Sequence, residues 1–154
     1  TYAAGLSLKE ENLDAFTQRF LKLAADEIIP EQMTPQIDID AVLDLQDINA
    51  KFMSELKKMN PFGPDNQKPV FCSLGVKDYG TSKLVGKDLE HIKLELIDDK
   101  SNTPIHGIAF GMHQHNTHIK NMKPFNICYT IEENTYNGNT SLQLMVKDIK
   151  ENDI

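Results

Sequence analysis

Apolar residues recur at helical spacing early in the chain: Leu13, Phe16, Phe20, Leu23 and Ile28, with Lys, Glu, Asp and Gln between them. That period predicts one amphipathic helix over residues 10–28, and Ser7 and Glu10 stand at capping-box spacing before it. Pro30 and Pro35 break the pattern, after which Ile37 and Ile39 alternate with Asp38 and Asp40 as a short strand or extended link. A second helix is expected over residues 44–59, capped by Asp44 with Asp47 in its first turn. Leu45, Ile48, Phe52, Leu56 and Met59 form its apolar stripe, and Lys57 and Lys58 suit its C-terminus. The run Asn60-Pro61-Phe62-Gly63-Pro64-Asp65-Asn66 ends all helical reading.

Beyond it the period changes to two. Val70 to Val76, Ile92-Leu94-Leu96, Gly107 to Gly111, Phe125-Ile127-Tyr129-Ile131 and Leu142-Leu144-Val146 are five strand candidates at the length and spacing of a small barrel. His113 to Met122 fills a helix-sized gap between the third and fourth, and Asn137-Gly138 is a strong hairpin signal between the last two. Five strands with one helix in that position is the order of an OB-fold. The fold class expected is therefore α+β: an N-terminal helical piece joined by a linker helix to a five-stranded OB barrel.

Composition narrows the classes. At 154 residues, 40% hydrophobic and 25% charged, the chain is long enough for one ordinary domain or two small lobes and is neither fibrous nor disordered. No apolar run approaches the roughly 18 residues that span a bilayer, and no signal peptide is visible, so a soluble cytoplasmic protein is expected. The opening Thr1-Tyr2-Ala3-Ala4-Gly5 suggests a piece of a longer protein. Cys72 and Cys128 lie in apolar strand-like runs and read as buried, reduced thiols. The formal charge of -7 argues against gripping nucleic acid by bulk charge. The acidity is uneven: the first 59 residues hold 6 Lys or Arg against 11 Asp or Glu, and the remainder 10 against 12.

Candidate chemistry is sparse. His113, His115 and His118 have a spacing at which imidazoles can converge on a divalent metal. The run is similar to the His-x-His-x-Asp-His signature of the metallo-β-lactamase fold, with Thr117 where that motif has Asp. On a helix His115 and His118 share a face and His113 does not, so surface histidines are the plainer reading and a metal-binding, hydrolase-like site the alternative. There is no nucleophile elbow, no His near either Cys in sequence, and no phosphate-cradling glycine loop; no catalytic residue is assigned. Asp98-Asp99 and Glu132-Glu133 read as solvated charges at strand ends. Lys83, Lys87, His91 and Lys93 flank or lie on the second barrel strand. With Ile92, Leu94 and Leu96 toward the core, His91, Lys93 and Glu95 take the other face. On an OB-fold that face holds single-stranded nucleic acid, and Tyr79 and Phe110 offer stacking surfaces worth ~1 to 3 kcal/mol per base if exposed. A mixed-charge outer face with no ligand fits the same pattern.

Residues 60–71, Asn60-Pro61-Phe62-Gly63-Pro64-Asp65-Asn66-Gln67-Lys68-Pro69-Val70-Phe71, resemble the turn that opens the OB domain of RecJ-type single-strand-specific DNA exonucleases, with Asp65 in place of the more usual Gly. Leu84 to Leu94 and Gly107-Ile108-Ala109-Phe110-Gly111 are similar to that domain's next blocks, and Ile131 to Ile149 to its closing hairpin. Ala3-Ala4-Gly5-Leu6 and the following acidic helix resemble the DHH-associated domain just past its Gly-Gly-His motif, which is not in this chain. The resemblance implies three parts: residues 1–36 end the DHH-associated domain, 37–60 are a linker strand and helix, and 61–154 are the OB domain. It implies a cytoplasmic parent enzyme of the DHH family that degrades single-stranded DNA from the 5′ end in repair and recombination. That enzyme would use Mn or Mg held by an upstream domain, so no cofactor is expected in this chain. Expected partners are single-stranded DNA, the catalytic domains of the same protein and single-strand-binding protein, with no membrane. The expected nucleic-acid-binding residues are Lys83, Lys87, His91 and Lys93. A lobe that serves only packing or a protein partner is the remaining alternative.

Overall fold

The first apolar stripe does form a helix. In the computed structural model, which describes residues 4–29, 33–136 and 138–151, α1 runs Leu13–Glu27 after one 3-10 turn at Glu10–Asn12. Neither Lys9 nor Asn12, which precede these turns, caps them through its side chain, so the capping box read at Ser7 and Glu10 does not form. The helix belongs to a separate unit, residues 1–37, within which it buries none of its side chains; Phe16 and Phe20 stack at 5.8 Å on its exposed apolar face.

Residues 38–154 make the second unit, a mixed α/β body with a seven-stranded sheet and short helices. The strands are β1 (Ala41–Val42), β2 (Phe71–Asp78), β3 (Lys83–Val85), β4 (His91–Ile97), β5 (Ile105–Ala109), β6 (Phe125–Tyr136) and β7 (Asn139–Glu151). Five of them cover the five period-two runs; β1 and β3 are additional short pieces. The order is β1-β2-β6-β7-β5-β4-β3 with a further pairing of β2 with β4, so the ladder through β2, β6, β7, β5 and β4 returns to its start. All contacts in this circuit are antiparallel except β5 with β7. Closure pairs the five circuit strands with one another and leaves only the short β1 and β3 as end strands, and it directs Ile92, Leu94, Leu96, Phe125, Tyr129 and Leu144 into one core with no exposed surface.

Local chemistry sets the details. Gly75 sits at φ 66° where the β2–β6 register shifts between Ser73 and Val76, and its N–H donates to Asn126 Oδ1 at 2.9 Å; a bulge in the left-handed region favours a residue without Cβ. β6 and β7 pair as far as Tyr136 with Asn139, and Gly138 has φ 78°, which is the hairpin expected at Asn137-Gly138, although Asn137 lies outside the described residues. The predicted strand at Ile37 and Ile39 falls instead at Ala41–Val42, parallel to β2, because Asp40 Oδ2 accepts the Val70 N–H at 2.8 Å and fixes where pairing begins.

The second predicted helix is broken in two. A 3-10 turn at Leu45–Asp47 precedes α2 (Ala50–Lys57), and Asn49, not Asp44, caps the helix by accepting the N–H groups of Lys51 and Phe52. Asp44 pairs with Lys100 at 2.7 Å instead. Asp98 is not a free loop charge either: its Oδ2 accepts the Leu45 N–H at 2.7 Å and ties the turn to the end of β4. Leu45, Ile48 and Leu56 are buried by this docking, while Met59 stays exposed. The predicted helix at His113 to Met122 is a 3-10 turn, His113–His115, followed by α3 (Asn116–Lys120), whose Ile119 is fully buried.

Candidate nucleic-acid interface

Alternation in β4 decides which side chains face out. Ile92, Leu94 and Leu96 are fully buried, Lys93 is exposed, and His91 and Glu95 are half-exposed between them. Register carries that outward face across neighbouring strands. Lys83 of β3 stands opposite Lys93, Lys93 opposite Ile108 of β5, and Ile108 opposite Met145 of β7. One residue pair further along, Glu95, His106 and Gln143 form a second row, and Asn134 of β6 faces Ser141 of β7. Partners directly across a ladder project to the same side of the sheet, so these residues share one surface.

The electrostatics of that surface are lopsided. Its carboxylates are engaged: Glu95 takes the Thr81 hydroxyl and lies 3.6 Å from His106 Nδ1, and Glu132 pairs with Lys68. Lys83, Lys87 and Lys93 have no carboxylate partner among the described residues, whereas Lys57, Lys68, Lys77, Lys100 and Lys120 each face one. An exposed pair of lysines opposite each other is unfavourable without an anion between them, and such cations suit a ligand that carries spaced negative charge.

Lys87 sits in the turn between β3 and β4, apart from the Lys83–Lys93 pair. Two left-handed residues shape that turn, Gly86 at φ 97° and Leu89 at φ 55°, and the Leu89 N–H donates to Gly86 O at 3.3 Å. A Cβ on Gly86 would lie 3.2 Å from His91 Cδ2. His91 is therefore wedged between this turn and β5. Its Nδ1 accepts the Gly111 N–H at 3.0 Å, and its ring meets Phe110 edge-on at 4.9 Å. Because Nδ1 accepts, the neutral ring carries its proton on Nε2, which lies 3.4 Å from Glu90 Oε1. Phe110 and Tyr79 are both about half exposed, 55% and 49%.

Asp78 positions the approach to Lys83. Its carboxylate is buried at the end of β2; Oδ1 accepts the Ser82 N–H at 3.1 Å, and Ser82 Oγ in turn accepts the Glu95 N–H at 2.9 Å. Oδ2 accepts no hydrogen bond among the described residues and lies 3.5 Å from Lys120 Nζ. Burial alone would raise this group, but hydrogen bonds from Ser82 and the Gly80 and Ser82 backbone, with the Lys120 charge, hold it below the usual carboxylate range. A depressed folded-state value adds stability above the unfolded value near ~4 that is lost as pH falls through the folded one. Asp78→Ala is expected to cost about 1–3 kcal/mol at neutral pH and to flatten the acid limb of stability below ~pH 4. Urea melts of both proteins at pH 7 and pH 3 check this, and an unchanged acid limb would remove Asp78 from the account.

The histidines do not form a three-ligand centre. His115 Nδ1 and His118 Nδ1 both close on Glu151, at 2.7 and 3.2 Å, and His118 Nε2 lies 3.2 Å from Pro124 O. His113 is exposed, a turn earlier. No group of three His, Cys, Asp or Glu among the described residues could hold a metal ion, so the metal-site alternative at His113, His115 and His118 is not supported there. The reason is the one helical spacing implies: residues three apart share a side and His113 does not. Cys72 and Cys128 stand opposite each other on β2 and β6 as free, buried thiols, and desolvation raises both above the usual thiol value, which makes them poor nucleophiles. No described helix is long and apolar enough to cross a membrane.

The sequence offers Lys83, Lys87, His91 and Lys93 as candidates, and the structure brings four further polar residues beside Lys93. His106, Asn134, Ser141 and Gln143 surround a cavity of about 350 Å³ with Lys93. Alternation in β7, with Leu142, Leu144 and Val146 facing inward, predicts that Ser141 and Gln143 face out. It does not reveal that β7 lies beside β5.

The family model described as the RecJ OB domain matches residues 39–148. The chain is 27% identical over 148 residues to the single-stranded-DNA-specific exonuclease RecJ of Haemophilus influenzae, covering 96% of the chain and 25% of that protein. It is 26% identical over 147 residues to the Bacillus subtilis enzyme of the same name, covering 95% and 18%. It thus spans a quarter or less of the curated relatives it matches. In structure it is similar to RecJ from Thermus thermophilus in complex with Mg2+ (TM-score 0.72, 16% identity) and with Mn2+ (TM-score 0.73, 17% identity). These cover 96% and 97% of the chain and 21% and 20% of those structures, and show a shared fold.

Proposed function

The chain belongs to the RecJ OB domain family, and from that premise we propose that it is the strand-holding module of a 5′-to-3′ single-strand-specific DNA exonuclease. The closed circuit of β2, β4, β5, β7 and β6, with α3 between its third and fourth strands in chain order, is read as the five-stranded OB barrel. Residues 1–36 are the end of a DHH-associated domain, 37–60 the linker and 61–154 the OB domain. The observation that carries the reading is the outward row of unpaired Lys83 and Lys93 running into half-exposed Ile108 and Met145. Cations for backbone phosphates beside apolar area for bases are what a single strand needs. Lys83, Lys87 and Lys93 neutralise phosphates, and His91 donates Nε2–H to one.

The chemistry is done elsewhere. In the whole enzyme a divalent metal is held by residues outside this chain, and the piece described has no nuclease activity of its own. Its task is to hold the strand and exclude duplex while the catalytic domains of the same protein cut, in DNA repair and recombination in the cytoplasm, where single-strand-binding protein is a further partner.

Fluorescence anisotropy of a labelled strand of about 16 nucleotides, the upper end of OB site sizes, tests this at two salt concentrations with a duplex control. Three neutralised phosphates predict that log K falls with log salt at a slope of about −2 for a single strand, with weaker binding to duplex. Equal affinity for duplex, or no binding at low salt, sinks the proposal.

A further inference from the structure

The cavity bounded by Lys93, His106, Asn134, Ser141 and Gln143 lies on the same outward face as the lysine row, where β4 and β5 meet the β6–β7 hairpin. Its lining is polar, but its groups do not satisfy one another. Among the described residues the side chains of Asn134, Ser141 and Gln143 hydrogen-bond to no protein group, while Thr135 and Thr140, on the next pair of the same hairpin, bond to each other at 2.9 Å. The His106 imidazole lies 3.6 Å from Glu95 Oε1 and makes no hydrogen bond shorter than that among the described residues.

Two carboxamides, a hydroxyl and an imidazole offer adjacent donors and acceptors, together with one flat π-surface. A lysine stands at the same cavity wall. Phosphate alone would not use the amide acceptors, and an apolar side chain would leave every one of these groups unpaired. A nucleobase uses all of them: its edge presents paired donors and acceptors that Asn and Gln match, its face stacks on His, and the phosphate attached to it falls to Lys93. About 350 Å³ is ample for one base.

We propose that this cavity is a base-reading subsite, which takes one unstacked nucleobase of the bound DNA strand on Asn134 and Gln143, with His106 against its face and Lys93 on the neighbouring phosphate. This rests on the strand-holding reading and adds to it a polar site for the edge of one base, beside the apolar area that Ile108 and Met145 offer to base faces. The lysine row treats every strand alike, whereas the cavity makes affinity depend on the presence of a base and on its edge.

The test compares two strands of identical length and charge, one ordinary and one in which the nucleotides are abasic, by anisotropy against the unaltered chain at fixed low salt. The ordinary strand is expected to bind about tenfold more tightly. Asn134→Ala/Gln143→Ala is expected to lose that margin while binding the abasic strand as before. Equal affinity of the unaltered chain for both strands overturns the cavity assignment and leaves the lysine row standing. A tenfold preference that survives in the double variant overturns it as well, by placing the base elsewhere. Failure of both strands to bind removes the strand-holding reading together with the subsite.

Discussion

Tyr129→Ala is expected to lower the free energy of unfolding by about 3–5 kcal/mol, the range for truncating a large buried aromatic ring. Tyr129 is fully buried on β6, where it stands opposite Phe71 of β2 and Val146 of β7. Its ring centroid is 6.3 Å from that of Phe71. Its hydroxyl also carries a chain of bonds. Ser73 Oγ donates to Leu43 O at 2.7 Å, so the 2.7 Å contact between Ser73 Oγ and Tyr129 Oη has the tyrosine as donor. One residue thus joins two strands of the circuit to the segment leading into α2. Losses of that size approach the whole stability of an ordinary domain, and urea unfolding followed by circular dichroism measures them. Tyr129→Phe keeps the ring and leaves Ser73 bonded to Leu43, so its cost should be about 1 kcal/mol. A loss equal to that of the alanine variant would move the weight from packing to the hydroxyl. Burial pushes the Tyr129 hydroxyl well above its ordinary value. Folding therefore gains from the protonated form below the unfolded value near ~10, and that gain is lost as pH rises toward the folded one. The phenylalanine variant should lack this alkaline decline.

Reversing both lysines of the outward row, Lys83→Glu/Lys93→Glu, is expected to weaken single-strand binding about 100-fold at low salt. The figure takes each charge-assisted contact at the low end of its range, about 1.4 kcal/mol or tenfold, because both side chains are exposed. Neutral substitution tests the mechanism more sharply: Lys83→Ala/Lys93→Ala should reduce the salt slope by about 1.4, two phosphates at 0.7 each. Neither side chain touches a carboxylate in the free protein, so the melting temperature should stay put. Affinity and slope both unchanged in the reversed variant would place the strand on some other surface, even though the family assignment would hold.

These two sites were unequally legible in the sequence. The inward phase of Tyr129 follows from its alternation with Ile127 and Ile131, and Lys93 is placed outward by Ile92 and Leu94 in the same way. The hydrogen bond from Tyr129 to Ser73 spans 56 residues and leaves no local trace. Helix limits depart from the apolar period where a distant group intervenes. Asp98 captures the Leu45 N–H and Lys100 captures Asp44, which leaves Asn49 to start α2 as a separate helix.

Period, phase and turn residues are properties of a few consecutive amino acids, and from them came the two helical stripes, five of the strands, the hairpin and the outward side of β4. Neighbour relations are not local. The parallel docking of β7 against β5 places Gln143 beside His106, and the short β3 places Lys83 opposite Lys93. Register across ladders far apart in sequence is chosen by burial of the whole core at once. A cavity assembled from four strands therefore exists only after the circuit has closed, and no segment of the chain announces it alone.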